Sequence, residues 1–494
     1  MKVAFFETYV LWPTHYETEL ELMMVHLQAG DDVSQLYCNS NLINCDQNPW
    51  KELQTCLNCN AIRKHGYKFL PAKIRSIPFL NLNSDQKQQI AALKKSFRDI
   101  SELKELTLHN FDIGFAVASS VISNIRTADP DTVKNAAIIE NYITAAAGVY
   151  FSVLNYIESE KPDRFYAFNG RLSHPKAVLR ACEAAKVDCY IHERSGSVQK
   201  YVAIKNATPH NLTVARNNIE LLWNEMDATK RVELSSAFFE KKYKSLNGSW
   251  YSFTKDQTDE IPENWDATKQ NVLVFNSSED EFASVGKEWY NPLYKNQLEA
   301  LTFIIRDLPQ IENTHVYLRV HPNLKKVDNE DKRALYNLKG ENFTLIPAES
   351  SVSTYRTLAA ADKVITFGST MGIEATYMRK PSILAGISMY RELQCTYNPQ
   401  SHQELMELIR KPLQPKPLEG ALKAALYYSE FGIPYRFYTP DNMTEGHFAG
   451  KRLDKKLFPV QRILSYLLKS KLPFNLTNKL TDKYNAIVKS AYLP

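Results

Sequence analysis

The sequence predicts an α/β protein of two Rossmann-like domains facing a cleft, followed by a basic C-terminal helical tail. Three observations carry this reading. Short apolar runs alternate with helix-spaced segments in β-α-β order through both halves of the chain. A polar stretch without periodicity, SLNGSWYSFTKDQTDEIPENWDATKQ, separates the halves. The 494 residues exceed one ordinary core and suit two domains of about 200 residues each.

Taken in order, KVAFFE is the first strand, and ETELELMMVHLQAG is a helix closed by Gly30. DVSQLYC is the second strand. Helical spacing recurs over 85–105 and 131–159. KPDRFYAFNGR gives a turn, a strand and a polar exit. HPKAVLRACEAAKV is a helix, and DCYIHERSG is a strand ending in charged residues. These elements place the first domain at 1–245, with a linker at 246–270. NVLVFNSS then restarts the alternation, which continues through HVYLRVHPN, FTLIPAES, VSTYRTLAAA and PSIL. The second domain is therefore expected at 271–435 and the tail at 436–494.

Apolar residues make up 44% of the chain and charged residues 23%, the balance of a soluble globular protein. No uninterrupted apolar run approaches the roughly 20 residues of a membrane span. The first residues carry acidic groups and read as a strand and helix rather than a leader, so the cytoplasm is the expected location. Net charge is +5, yet Lys451–Pro494 holds ten Lys or Arg against two Asp, leaving +8 there and −3 elsewhere. Such a segment, with interleaved Leu, Tyr and Phe, suits a helix packed on the body with a solvated lysine face. It also suits peripheral contact with the anionic inner membrane surface. No nucleic-acid module is recognisable, and nucleic acid is not an expected partner.

Four of the seven cysteines, Cys38, Cys45, Cys56 and Cys59, follow a C-x6-C-x10-C-x2-C pattern. Thiolates are soft ligands and four can close a tetrahedral structural zinc site, so zinc is the metal expected here. An iron–sulfur cluster or a set of reduced thiols are the alternatives.

In open parallel sheets, ligands bind outside the carboxyl ends of the strands. Those ends in the second domain are polar. Ser277 and Ser278 follow one strand, Arg319 and His321 another, and Gly368, Ser369, Thr370 and Gly372 a third. Hydroxyls, free N–H groups and a helix start fit a phosphate, and a nucleotide phosphate in particular. Glu374, in the helix that follows, is placed for a ribose hydroxyl. Each feature taken singly also fits a turn or a helix cap; three such ends in one domain point to a ligand.

LRVHPN and IPAESSVSTYRTLAAADKVITFGSTMGIEATYMRKPSIL resemble the donor domain of bacterial capsular and surface polysaccharide biosynthesis proteins. These include capsule-type Kdo transferases and, more distantly, polyglycerol-phosphate polymerases. His15 with Glu17–Glu19, FNGR, HERSG and EFGIPYRFYTPDNMTEGHFAG extend the likeness over most of residues 1–450. The resemblance implies a GT-B glycosyltransferase that takes a nucleotide-sugar donor and a glycan or glycolipid acceptor, with no catalytic metal. It maps His321, Ser369 and Thr370 to the donor phosphate. Ser353-Thr354-Tyr355 stands where the family pattern has Asp-Ser-Tyr. Inverting transfer needs a general base, for which Glu193 is the first candidate and His15 the second; Asn169 and Arg171 are suited to acceptor hydroxyls or a carboxylate. Transfer of a polyol phosphate from a CDP-linked donor, C2 epimerisation of a sugar nucleotide, and a non-catalytic scaffold are the competing functions.

Overall fold

The computed structural model describes residues 1–12, 14–244, 257–452 and 484–493. The chain forms two compact units, one from 1–125, 129–209 and 432–494, the other from 126–128 and 210–431.

The first unit is built on a seven-stranded sheet. Its main strands are β1 (Lys2–Glu7), β2 (Asp32–Tyr37), β3 (Arg75–Pro78), β4 (Arg164–Phe168), β5 (Asp188–Arg194) and β6 (Lys200–Lys205). They run in the order β3-β2-β1-β4-β5-β6, and Ile433–Pro434 closes the edge beside β6. β1 to β5 are parallel; β6 and the edge strand are antiparallel. Val3 through Glu7 are all buried, as a central parallel strand covered on both faces requires. Among the described residues one helix, Ala136–Glu160, is long and apolar enough to cross a membrane by length and composition. Inside the unit 78% of its most apolar window is buried, so here it is a core helix, packed beside Ile113–Ile125 and Ser173–Ala185.

The second unit holds β7 (Gln270–Phe275), β8 (Thr314–Arg319), β9 (Phe343–Ile346), β10 (Lys363–Thr366) and β11 (Ser382–Leu384). All are parallel, in the order β9-β8-β7-β10-β11. Both units therefore carry the Rossmann order, which reverses between β1 and β4 in one sheet and between β7 and β10 in the other. Those reversal points open crevices at the carboxyl ends of the strands.

The unit boundaries differ from the sequence-based ones. Helices Leu212–Glu225 and Ala228–Tyr243 belong to the second unit, because their apolar stripes (Ile219, Phe239) bury against Ala421, Ala424 and Ala425 of the helix Glu419–Glu430. Lys423 Nζ also meets the Glu220 carboxylate at 2.9 Å. The described part of the tail belongs to the first unit. Glu21, fully buried, accepts the backbone N–H groups of Arg436, Phe437 and Tyr438 at 2.8, 2.9 and 3.0 Å, which starts a small antiparallel sheet over 438–452. Tail residues 453–483 and linker residues 245–256 lie outside the described residues.

Candidate active site

At the reversal point of the second sheet, Gly368 has φ +152°. A Cβ there would stand 2.8 Å from the Ile387 carbonyl oxygen, so only glycine lets the turn pass beside that carbonyl; Ser277 Oγ lies 3.8 Å from the same position. Among the described residues Ser277 Oγ is buried without a hydrogen-bond partner, while Ser277 N–H is fixed by Gln297 Oε1 at 2.8 Å. Its neighbour Ser278 is used internally, donating to Asp280, which in turn pairs with Arg126. Ser369 Oγ accepts the Met371 N–H at 3.2 Å and keeps its own proton to donate. Tyr390 donates to the Ser369 carbonyl at 2.5 Å and braces the turn; Gly372 is required because a Cβ would collide with that phenol.

The structure reassigns several sequence candidates on this edge. Arg319 is buried and donates to the carbonyls of Pro347 and Ser350 at 3.1 and 3.0 Å, so it fastens the loop after β9. His321 is held neutral, burial pushing it down to about 4, and its Nδ1 accepts the Asn323 N–H, which leaves the ring proton on Nε2. It offers a neutral donor rather than a cation. Glu374 does not stand open toward a ribose. Its Oε1 takes Lys242 Nζ at 2.9 Å and Thr370 Oγ1 at 2.9 Å, and its Oε2 takes the Tyr355 hydroxyl at 2.7 Å. Burial would push Glu374 up, but Lys242, Tyr355 and Thr370 together hold it below the usual carboxylate value. Lys242 was not singled out in the sequence. It reaches this turn from the end of a helix more than 120 residues away, and no local pattern marks that.

At the reversal point of the first sheet the structure brings Glu193 and His15 together. His15 opens the helix His15–Gln28 and Glu193 lies near the end of β5. His15 Nδ1 stands 3.4 Å from Glu193 Oε1 without forming a hydrogen bond, and among the described residues that nitrogen has no hydrogen-bond partner. The imidazole packs on Phe168 with ring centroids 4.0 Å apart and has Trp12 on another side. Burial, the Arg194 charge and His192 keep His15 well below its ordinary value, so the ring is neutral at neutral pH. Glu193 is pushed up by burial against the pull of Asn169 Nδ2, 2.9 Å from Oε2, and of the Arg194 N–H, 3.0 Å from Oε1. Both carboxylate oxygens are thus taken by protein donors. That leaves His15 Nε2 as the atom suited to accept a proton, with Glu193 a neighbouring carboxylate that does not hydrogen-bond the ring. Asn169 serves this carboxylate rather than an acceptor, and Arg171 donates to the hydroxyls of Ser119 and Ser123 at 2.9 and 3.4 Å.

Beside this pair, Tyr9 donates to the buried Asp46 carboxylate at 2.7 Å and packs at a tilt against Trp12 and Phe168. The Tyr9–Trp12 wall was not read from the sequence, although its position just past the first strand is the signal that marks it.

The cysteines do not assemble as a metal set. Among the described residues no group of three or more His, Cys, Asp or Glu is placed to hold a metal ion. The four thiols share a neighbourhood, and burial pushes Cys38, Cys45 and Cys59 upward. A buried lysine orders the segment instead. Lys51 Nζ donates to the carbonyls of Ser40, at 2.7 Å, and Leu42. Asn48 exchanges two 2.8 Å hydrogen bonds with the backbone of Glu52, and Tyr492 donates to the Asn41 carbonyl at 3.0 Å. Elemental analysis of protein purified without chelator is expected to find no stoichiometric zinc. The four thiols should react with a thiol reagent in denaturant and resist it when folded; about one zinc per chain would restore the metal reading.

No family model and no curated protein sequence matches the chain. Solved structures similar to it include the Thermosulfurimonas dismutans KpsC beta Kdo 2,7 transferase, with TM-score 0.36 and 16% identity over 65% of this chain and 90% of that one. The beta Kdo 2,4 transferase of the same organism gives TM-score 0.36 and 14% identity over 54% and 81%. The Methanocaldococcus jannaschii UDP-GlcNAc 2-epimerase gives TM-score 0.27 and 13% identity over 86% and 98%.

Proposed function

We propose that the protein is a glycosyltransferase that moves a sugar from a nucleotide-activated donor to a hydroxyl of a glycan or glycolipid acceptor. The observation that carries this reading is the His15–Glu193 pair, a neutral buried imidazole facing a carboxylate at the reversal point of a Rossmann sheet. In the proposed reaction His15 Nε2 takes the proton of the acceptor hydroxyl as its oxygen bonds to the anomeric carbon. The bond from that carbon to the donor phosphate breaks, and the nucleotide leaves with the electron pair. A single displacement of this kind inverts the anomeric centre.

On the second unit, the donors that suit the leaving phosphate are the hydroxyls of Ser277 and Ser369, His321 Nε2–H and the backbone around Gly368. They meet the developing charge with neutral dipoles fixed in advance, so the scheme needs no catalytic metal.

The scheme is tested on the nucleotide first. Thermal shifts with CMP, CDP, UDP and GDP are expected to single out one base, because ligand binding to the folded state raises apparent stability. Ser277→Ala and His321→Ala should each weaken that nucleotide by about 1–3 kcal/mol, roughly 5- to 150-fold. A protein that no nucleotide stabilises, or that binds equally well with both substitutions, is not a nucleotide-sugar enzyme.

A second reading, C2 epimerisation of a sugar nucleotide, draws on two carboxylates buried in the first unit. Burial raises both Glu7 and Glu19, and the charge of Glu7 raises Glu19 further, so this pair favours holding a proton. Turnover of the sugar nucleotide with no acceptor present would favour it.

A further inference from the structure

We propose, on the reading of His15 as the proton acceptor, that residues 433–443 are a positioning element of its site. They fix the helix that begins at His15 and, through one backbone carbonyl, set the spacing between His15 and Glu193. These two side chains make no hydrogen bond to each other across their 3.4 Å, so other groups must hold them at that distance.

Thr14, Thr18 and Glu21 recur at i, i+4 and i+7, on one face of the helix His15–Gln28 and its N-cap, and all three are buried. Each meets the returning segment. Thr14 Oγ1 donates to the Met443 carbonyl at 3.0 Å. Thr18 Oγ1 donates to the Thr14 carbonyl and so accepts the Tyr435 hydroxyl at 2.6 Å. Glu21 accepts the N–H groups of Arg436, Phe437 and Tyr438. The same segment is fastened to the sheet. Ile433–Pro434 pairs with β6, Tyr435 N–H donates to the Gln199 carbonyl at 3.2 Å, and Gln199 Nε2 donates to the Pro440 carbonyl at 3.3 Å. Rotating the helix about its axis would leave these buried groups unpaired, at about 1–3 kcal/mol each.

The segment ends at the pair itself. The Met443 carbonyl that accepts Thr14 also accepts Arg194 Nη1, at 3.2 Å. Thr14 precedes His15 and Arg194 follows Glu193, so one oxygen joins the residues beside both members of the pair. The turn that carries it is closed by the Asp441 and Asn442 N–H groups on the Glu445 carbonyl, at 2.9 and 3.2 Å, and by Thr444 N–H on Asn442 Oδ1 at 2.9 Å. Thr14 has φ +73°, where a β-branched residue is an outlier. Such a backbone persists where its surroundings hold it. Here the Met443 carbonyl takes its hydroxyl and Glu17 Oε2 takes its N–H at 2.6 Å.

Positioning is read directly on the imidazole in the full chain. Diethyl pyrocarbonate acylates neutral histidine, and peptide mass spectrometry gives the rate at each site. His15 is buried and should react slowly. Thr14→Val removes the donor to Met443, and Glu21→Gln removes one oxygen that holds the segment; each should speed reaction at His15 several-fold. His26, near the far end of the same helix, should keep its rate, whereas general unfolding would raise both. Thr14→Ser keeps the hydroxyl and should behave as the unsubstituted protein. Turnover of Thr14→Val should fall about 10- to 100-fold, the cost of misplacing a reacting group by up to about 1 Å, with nucleotide affinity unchanged. Should Glu21→Gln fail to fold, the two Thr14 variants decide. Faster reaction at His15 with undiminished turnover would leave the positioning in place and remove His15 as the base. An unchanged rate at His15 in Thr14→Val, equal acceleration at His15 and His26, or a Thr14→Ser protein that behaves like Thr14→Val would each overturn the proposal.

Discussion

Replacing His15 is expected to lower turnover about 100- to 10,000-fold, the contribution of a positioned proton acceptor, while nucleotide affinity stays near that of the unsubstituted protein. His15→Gln is the better variant because it keeps volume against Phe168, whose ring centre lies 4.0 Å away; His15→Ala would also open a void beside Trp12. The pH profile separates catalysis from packing. A histidine base works only when neutral, and burial, the Arg194 charge and His192 all depress His15 below 6.5. Activity should therefore persist through pH 6.5 and be lost only as the pH falls through that lower value. Glu193→Gln removes the carboxylate charge 3.4 Å from the ring and should also cost about 100-fold or more, with the acid limb displaced. If the His15 variants keep full turnover and Glu193→Gln abolishes it, the carboxylate is itself the base, as the sequence ranked it. If both sets stay active, the pair has no part in the reaction.

The second large effect is expected at Lys242. Its ammonium, 2.9 Å from Glu374 Oε1, is the cation bonded to a carboxylate that is only 4% exposed. Lys242→Met leaves Glu374 charged among Tyr355 and Thr370 alone, and an uncompensated buried charge costs about 3–5 kcal/mol. Urea unfolding followed in the second unit should show this loss, and Glu374→Gln in the same chain should recover most of it. The pH dependence follows from the direction of the shift. With Lys242 present the Glu374 carboxyl is depressed, so its contribution is present above the unfolded value of about 4.3 and is lost as pH falls through the folded one. Without Lys242 burial dominates and the group is raised, so the variant gains stability on acidification and the gap between the two proteins narrows. A loss below about 1 kcal/mol that does not change with pH would show that the pair is unimportant to the fold.

The legible part of this fold was the part with local signatures. KVAFFE and NVLVF were readable because parallel strands covered on both faces need unbroken apolar runs. The residues after those runs were readable as candidate sites because strand order places ligand crevices at carboxyl ends. Ser277, Ser369, His15 and Glu193 all lie on such ends or just beyond them. The strand Arg75–Pro78 escaped notice because it sits at a sheet edge with exposed, non-alternating residues. The boundary was misplaced because the helices from Leu212 to Tyr243 look the same in sequence whichever unit buries their apolar faces.

By itself, then, the sequence determined that the chain is α/β, that its sheets are mainly parallel and which strand ends are polar, since these follow from periodicity and residue type. Tertiary structure alone decided how those groups divide the work. Arg319, His321, Glu374 and Asn169 are each polar residues at a strand exit or just past one, yet packing turns the first onto carbonyls, neutralises the second, and ties the other two to Lys242 and Glu193. The cysteine spacing allowed a metal, and the buried Lys51 took the ordering role instead. The reason is physical: a side chain's charge state and free hydrogen bonds depend on burial and on partners up to hundreds of residues away, and neither quantity is encoded in the few residues around it.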